Sequence, residues 1–241
     1  MPPESERRGN TRNRLLDALP AAEYARLAQK LEPVEPQLGE VLFRPGERTQ
    51  YVYFLVESIV SLMTDLEEGG GIEVGLVGRE GMVGISVVFG VEHESKLATV
   101  QRTGTALRMR SDDLREELAG GGQLPRLLLR YAHALMSQIS QSVVCNVRHT
   151  VEGRLVRWLL MFQDRTEADE FELTHEFMAN MLGAARSSVG EVARKLQEMG
   201  LVSYERGRFH VINRPAMEQM ACECYEVVRD EFDDLYKEPG R

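Results

Sequence analysis

Residues 171–212, FELTHEFMANMLGAARSSVGEVARKLQEMGLVSYERGRFHVI, decide how the chain is read. The stretch divides into two short helices joined by a tight turn, followed by a small hairpin. Thr174 is placed to cap the first helix, because its hydroxyl can accept from a free backbone N–H, and Glu176 suits the positive end of the helix dipole. Phe177, Met181 and Leu182 recur at helical spacing and predict one apolar face. Gly183 ends that helix, since glycine most cheaply adopts the left-handed conformation of a helix terminus. Val189, Val192, Leu196 and Met199 predict the inner face of the second helix, and its outer face carries Arg186, Ser187, Ser188, Gly190, Glu191, Arg194 and Lys195. Gly200 stops it, and two β-type runs at 201–204 and 209–212 flank Arg206-Gly207-Arg208, a hairpin with a basic tip.

This is the pattern of a helix-turn-helix with a wing, in which the second helix enters the major groove of DNA. Arg186 lies in the first turn of that helix, where a guanidinium can pair with both O6 and N7 of a guanine. Ser187 and Ser188 suit bases or phosphates. Arg194, Arg206 and Arg208 suit phosphates, which fix register without reading sequence. The competing reading is a plain helical hairpin with a solvated charged face; arginines on both sides of the wing glycine favour DNA.

Residues 173–202, LTHEFMANMLGAARSSVGEVARKLQEMGLV, with the glycine-centred wing, resemble the DNA-binding domain of the CRP/FNR superfamily of bacterial transcription regulators. The resemblance implies that Arg186 reads a base and that Ser188 and Arg194 touch phosphate or bases. Ser187 stands where the family's catabolite activator has a glutamate, and Glu191 where it has a second base-reading arginine, so a different operator is expected. The Glu191 carboxylate can accept from a cytosine N4 or pair with Lys195 at i, i+4; both remain open. The expected DNA-facing set is Thr174, Arg186, Ser187, Ser188, Glu191, Arg194, Lys195, Arg206 and Arg208.

The 241 residues suit two modest domains, and 43% hydrophobic content is enough to bury their cores. No apolar run approaches the ~20 residues of a membrane span. The polar start, MPPESERRGNTRNR, is expected to be frayed, and the chain cytoplasmic. A net charge of −9 argues against an indiscriminate nucleic-acid binder, so DNA affinity must come from a local basic face. Much of the acid lies near the end, at Glu226, Asp230, Glu231, Asp233 and Asp234. Cys145, Cys222 and Cys224 are too few for a disulfide framework, and C-x-C at 222–224 has no second pair, so no metal site is expected. Cys145 and His149, at i, i+4, have the spacing of a soft ligand pair but read more simply as a packed thiol beside a solvated histidine; His93 is discounted in the same way. An iron–sulfur sensor would need a cysteine cluster. No Gly-rich phosphate loop with lysine, H-x-x-x-H pair or G-x-S-x-G elbow is present, so an enzyme is not expected.

Between residues 34 and 110 the texture is of short β-type runs: 41–43, 51–56, 59–63, 72–77, 98–101 and 105–109, with a polar hairpin tip at 65–71. Many short strands at regular spacing indicate a sandwich, roll or barrel. LGEVLFRPGE, YVYFLVESIVSL and GREGMVG resemble the cyclic-nucleotide-binding roll of the same superfamily, and Ser58 stands where the family usually has a turn glycine. The resemblance places a phosphate cassette between Gly81 and Ala98, so the effector-pocket candidates are Gly81, Met82, Gly84, Lys96, Leu97, Ile139 and Ser140. Four of these depart from the family pattern: Met82 for a ribose-holding glutamate, Lys96 for a phosphate-binding arginine, Leu97 for its neighbouring serine and Ile139 for a purine-contacting threonine. Lost acceptors and a lost bidentate guanidinium disfavour cyclic AMP, and no other cofactor is indicated.

Residues 124–146 read as a long amphipathic helix whose three- and four-residue steps predict a self-pairing seam of Leu128, Tyr131, Leu135, Ile139, Ser142, Val143 and Asn146; packing on the chain's own roll is the alternative. A hinge falls at 148–153, a helix at 150–164 has Leu155, Trp158, Leu159 and Phe162 facing in, and a polar connector covers 164–170. One last helix is expected from Pro215 through Tyr236, with Met217, Met220, Tyr225 and Val228 inward against the DNA-binding domain. The expected fold is α+β: a disordered 1–14, a double-stranded β-helix or jelly roll over 15–121, a dimerisation helix over 122–149 and a winged helix-turn-helix over 150–241. The expected function is a homodimeric, sequence-specific regulator on an inverted-repeat operator, with double-stranded DNA as partner, RNA polymerase as a second if it activates, and no membrane. The alternative is a sensor that binds DNA only with a small ligand, haem or a redox signal in the roll.

Overall fold

The computed structural model describes residues 11–65, 71–166 and 170–237. Helices α1 (Arg14–Asp17) and α2 (Ala21–Ala28) precede strands β1 (Glu32–Val34), β2 (Val41–Phe43), β3 (Tyr51–Leu55), β4 (Ile59–Asp65), β5 (Gly71–Val77), β6 (Met82–Val83), β7 (Leu97–Arg102) and β8 (Ala106–Arg110). They form two antiparallel sheets, ordered β1-β8-β3-β6 and β2-β7-β4-β5. In β3 the period-two pattern is direct: Val52 and Phe54 are buried and Tyr51 and Tyr53 half-buried, as a strand with one face on a core requires. Val60, Leu76, Val100 and Met109 fill the same roll.

The chain then enters α3 (Ser111–Ala119), the long α4 (Gln123–Arg148) and α5 (Val151–Thr166). The reading head follows as β9 (Glu170–Glu172), α6 (His175–Leu182), α7 (Arg186–Glu198), β10 (Val202–Glu205) and β11 (Arg208–Val211), then α8 (Arg214–Met220) and α9 (Cys224–Leu235). The architecture is the expected α+β arrangement of roll, long helix and winged helix-turn-helix.

Several expectations need correction. The frayed start does not extend to residue 14: Asn13 is fully buried, donating from Nδ2 to the carbonyls of Leu55 (2.7 Å) and Gly81 (2.8 Å) while its Oδ1 caps α1. Residues 1–10, tip positions 66–70 and connector positions 167–169 lie outside the described residues. The single last helix is two, broken at 221–223, and α9 packs chiefly against α4 rather than on the reading head. It runs antiparallel to α4: Gln141 Nε2 meets Cys224 Sγ at one end, and Arg130 donates to the Asp234 carbonyl at 2.6 Å at the other. On α9 Tyr225, Val228, Phe232 and Leu235 are buried; on α8 Met217 is buried and Met220 only half-buried.

Most of the predicted seam on α4 is taken up by the chain's own packing. Leu128, Tyr131, Leu135 and Ser142 are buried within the chain's own fold, and Ile139 and Asn146 are half-buried; of that set only Val143 is exposed. The exposed apolar face lies one residue round the helix, at Leu129, Met136, Val143, Val144 and Val147. Both faces are apolar: the buried one repeats at steps of three and four, the exposed one at seven from Leu129 through Met136 to Val143.

Two buried polar groups join the roll to α5. Arg165 pairs with Glu80 at 2.8 Å and donates to Gln138 Oε1 (2.8 Å) on α4 and to the Leu76 carbonyl (3.1 Å). Glu73, on β5, accepts from Trp158 Nε1 at 2.8 Å and from the Ser61 hydroxyl. Burial raises the Glu73 carboxyl to about 7, against the two hydrogen bonds and the charges of Arg157 and Arg165, which favour the anion. The folded state therefore holds a proton that the unfolded state releases above its ordinary 4.5. Stability from this group is full below that value and is lost as pH rises through about 7. Denaturant unfolding of wild type and Glu73→Gln across this window should show the wild type losing up to about 3 kcal/mol relative to the variant as pH rises. Parallel pH profiles would refute the assignment.

Candidate nucleic-acid interface

The head is assembled from short-range rules. Thr174 caps α6, its Oγ1 accepting from the Phe177 N–H at 3.1 Å, and Gly183 ends the helix at φ 57°. Met178, Ala179, Met181 and Leu182 are its buried face, with Phe177 half-buried against Trp158 of α5. Arg154, on α5, is buried and donates to the Leu182 carbonyl, placing a cation at the C-terminal end of α6, where the dipole favours it. On α7 the buried residues are Val189, Ala193 and Leu196; Met199, expected inside, is half-exposed because the helix ends at Glu198.

The outer face of α7 presents Arg186, Ser187, Glu191, Arg194 and Lys195 to solvent, with Ser188 half-buried. Arg186 is the first residue of the helix, on its N-terminal turn. Lys195 pairs with Glu152 of α5 at 2.5 Å rather than with Glu191, and Arg194 pairs with Glu198 at 2.6 Å. Exposed pairs of this kind are worth about 0–1 kcal/mol, so phosphates can replace the carboxylates at little cost. The wing is a three-stranded sheet, ordered β10-β11-β9, whose hairpin turns on Arg206 (φ 51°) and Gly207 (φ 84°). Two successive residues at positive φ are the signature of the tight turn that matches strand twist. It lifts Arg206 and Arg208 into solvent, Arg208 lying 3.9 Å from Glu170.

His175 was not anticipated as part of this site. Its ring stacks on Tyr204 of the wing at 4.5 Å and lies beside Gly190 of α7, where an added Cβ would sit 3.4 Å from Nδ1. Burial, helped by the Arg186 charge, lowers its pKa. The contact ties α6, α7 and the wing together, and nothing in the local sequence marks it.

The residues of the expected effector cassette make contacts within the chain. Met82 is buried, its carbonyl accepting from the Tyr131 hydroxyl at 2.8 Å, and a Cβ on Gly81 would fall 2.5 Å from the Tyr131 ring. Tyr131, assigned from sequence to a dimer seam, is here because a buried phenol needs an acceptor. Gly84, at φ 97°, leads into a 3-10 turn over Ile85–Phe89. Within that turn the Ser86 N–H and hydroxyl both donate to Glu94 Oε1, at 3.1 and 2.5 Å. Lys96 is half-buried, with Nζ 3.4 Å from Ser95 Oγ, and Leu97 is half-buried in β7. On α4, Ile139 is half-buried and Ser140 exposed. The structure also brings together Cys145, His149, Cys222 and Cys224, two pairs that the sequence keeps 77 residues apart.

Comparison with known proteins agrees with this geometry. The family model of the Crp-like helix-turn-helix domain matches residues 153–220, and that of the cyclic nucleotide-binding domain matches residues 34–120. The chain is 23% identical over 188 residues to the CRP-like cAMP-activated global transcriptional regulator of Mycobacterium tuberculosis, covering 75% of this chain and 84% of that one. It is 24% identical over 212 residues to the global nitrogen regulator of a Synechocystis species, covering 83% and 94%. Its fold is similar to that of FixK2 from Bradyrhizobium japonicum, with a TM-score of 0.69 at 15% identity over 80% of this chain and 98% of that one. With a cyclic-nucleotide-binding-type roll ahead of a Crp-like reading head, the chain belongs to the CRP/FNR superfamily of DNA-binding transcription regulators.

Proposed function

We propose that this regulator works in the cytoplasm as a homodimer, reads an inverted-repeat operator with α7, and does so without cyclic AMP. The observation that carries the reading is the outer face of α7, where Arg186 opens the helix beside exposed Ser187 and Glu191, flanked by the wing arginines. In a winged helix-turn-helix the first turn meets base edges and the surrounding cations meet phosphate, so Arg186 specifies while Arg194, Lys195, Arg206 and Arg208 position. Glu191 is free of Lys195 and suits a cytosine N4.

Self-association is supported by the stripe on α4. Leu129, Met136 and Val143 repeat at seven residues, and Val147 continues the line; all are exposed in the single chain. An apolar heptad row facing water is the surface a second copy of the same helix would cover. Two heads related by a two-fold axis then match half-sites about one helical turn apart.

Against cyclic AMP stands the chemistry of the cassette. Glu94 already meets the Ser86 donors that an anion would need, Tyr131 holds the Met82 carbonyl, and Lys96 offers a single ammonium where the family resemblance implies a guanidinium. A cyclic phosphate would have to displace a carboxylate and then lie against Leu97. The mycobacterial relative carries activation by cAMP in its name; that property is not transferred here.

Selection from random duplexes by the untreated protein should enrich an inverted repeat. On the selected site Arg186→Ala should cost ~1–3 kcal/mol and relax one base position, whereas Arg206→Ala should weaken all sequences alike. Equal, sequence-independent losses in both would refute the assignment of α7. Met136→Glu should convert the dimer to monomer in sedimentation; an unchanged dimer would exclude the stripe as the interface. Calorimetric titration with cyclic AMP should give no binding heat, and a micromolar isotherm would overturn the reading of the cassette.

A further inference from the structure

The last turn of α4 and the break between α8 and α9 meet at one point. Cys145 lies in the last turn of α4 and His149, four residues on, caps its end; Cys222 lies in the break and Cys224 opens α9. One ligand-capable atom from each of the four lies within 4.8 Å of all the others. The Sγ atoms of Cys145 and Cys222 are 3.6 Å apart, and Cys224 Sγ is 3.4 Å from His149 Nδ1. A tetrahedral zinc ion with Zn–S of about 2.3 Å and Zn–N of about 2.0–2.1 Å sets its sulfurs about 3.8 Å apart and a sulfur and nitrogen about 3.5 Å apart. The spacings therefore suit four ligands around one ion.

The surroundings have the form of an outer shell. His149 presents Nδ1 to the cluster and turns Nε2 toward Glu223 Oε1 at 3.3 Å, the carboxylate–histidine arrangement that fixes the ring of a metal-bound imidazole. Gln141 Nε2 lies 3.1 Å from Cys224 Sγ, where it can donate to a thiolate. Cys145 and Cys224 are buried, and Cys222 packs beside Gly153 at the start of α5.

We propose that Cys145, His149, Cys222 and Cys224 form a closed Cys3His site for zinc or a cation of like chemistry. With all four positions supplied by protein, the site is structural rather than catalytic. Binding joins three thiolates and one neutral imidazole to the ion and releases three thiol protons to solvent. The ion would pin the α8–α9 break to the end of α4, beside the hinge that leads into α5. Because α9 lies along α4 and α8 packs on α5, the bond fixes the reading head against the long helix. The sequence-based expectation of no metal fails here because the two ligand pairs have no common spacing; only the antiparallel return of α9 brings them together.

The test uses the untagged full chain purified under reductant without chelator. Elemental analysis should find about one zinc per chain, and Cys222→Ser and His149→Gln should each lower metal affinity at least tenfold. Addition of Co²⁺ to the metal-stripped wild type should give thiolate-to-cobalt absorption and tetrahedral ligand-field bands, a readout that needs no variant to fold. Chelation should raise hydrogen exchange in residues 148–153 and 221–224 selectively. Absence of zinc together with absence of cobalt–thiolate absorption overturns the proposal. So does metal content unchanged in both variants, iron with acid-labile sulfide in place of zinc, or a Cys145–Cys222 disulfide that persists under reductant.

Discussion

The ion pair between Arg165 and Glu80 is the contact on which the arrangement of the two halves depends. Both side chains are buried, and Glu80 also accepts from the Gly78 N–H while Arg165 reaches Gln138 and two backbone carbonyls. A buried pair offsets its desolvation only when its remaining donors and acceptors are also satisfied. Here the partners come from the roll, from α4 and from α5, so each part supplies what another needs. Breaking one member leaves a buried charge, a far larger loss than the pair's net contribution. With Glu73 and Trp158 alongside, the orientation of the reading head is set by polar groups whose geometry tolerates little sliding, rather than by apolar contact alone.

The cassette shows the same principle turned inward. Within it the Ser86 N–H meets a carboxylate eight residues along the chain, that of Glu94. The roll packs through its strands and their apolar core, among them Val52, Phe54, Val60, Leu76, Val100 and Met109. In a scaffold of this kind the fold and the chemistry of the site it carries are separable.

Much of the reading head was legible in the sequence because its signals are local. Thr174, Gly183, Gly207 and the apolar spacing of α7 each act within a few residues, and the structure places them as read, apart from Met199 at the fraying end of α7. The strands of the roll were legible by alternation for the same reason. The face of α4 was not, because two apolar stripes share one helix and periodicity cannot say which meets the chain's own core. Tyr131 and Leu135 were read as partners for another copy when they are partners for Met82 and the roll. The tail was read as one helix because no proline or glycine marks the break at 221–223. The four thiol and imidazole ligands, the His175–Tyr204 stack and the Glu94–Ser86 contact all depend on chain segments meeting in space, and no local spacing encodes them.

The exposed stripe of Leu129, Met136, Val143 and Val147 has a further consequence. If a second copy covers it, the DNA-reading species obeys mass action: at low abundance its amount rises with the square of the protomer concentration. Doubling synthesis then roughly quadruples operator-competent protein until the dimer dominates. A regulator that assembles in this way converts its own expression level into a steep response, with the hydrophobicity of one helix face setting the threshold.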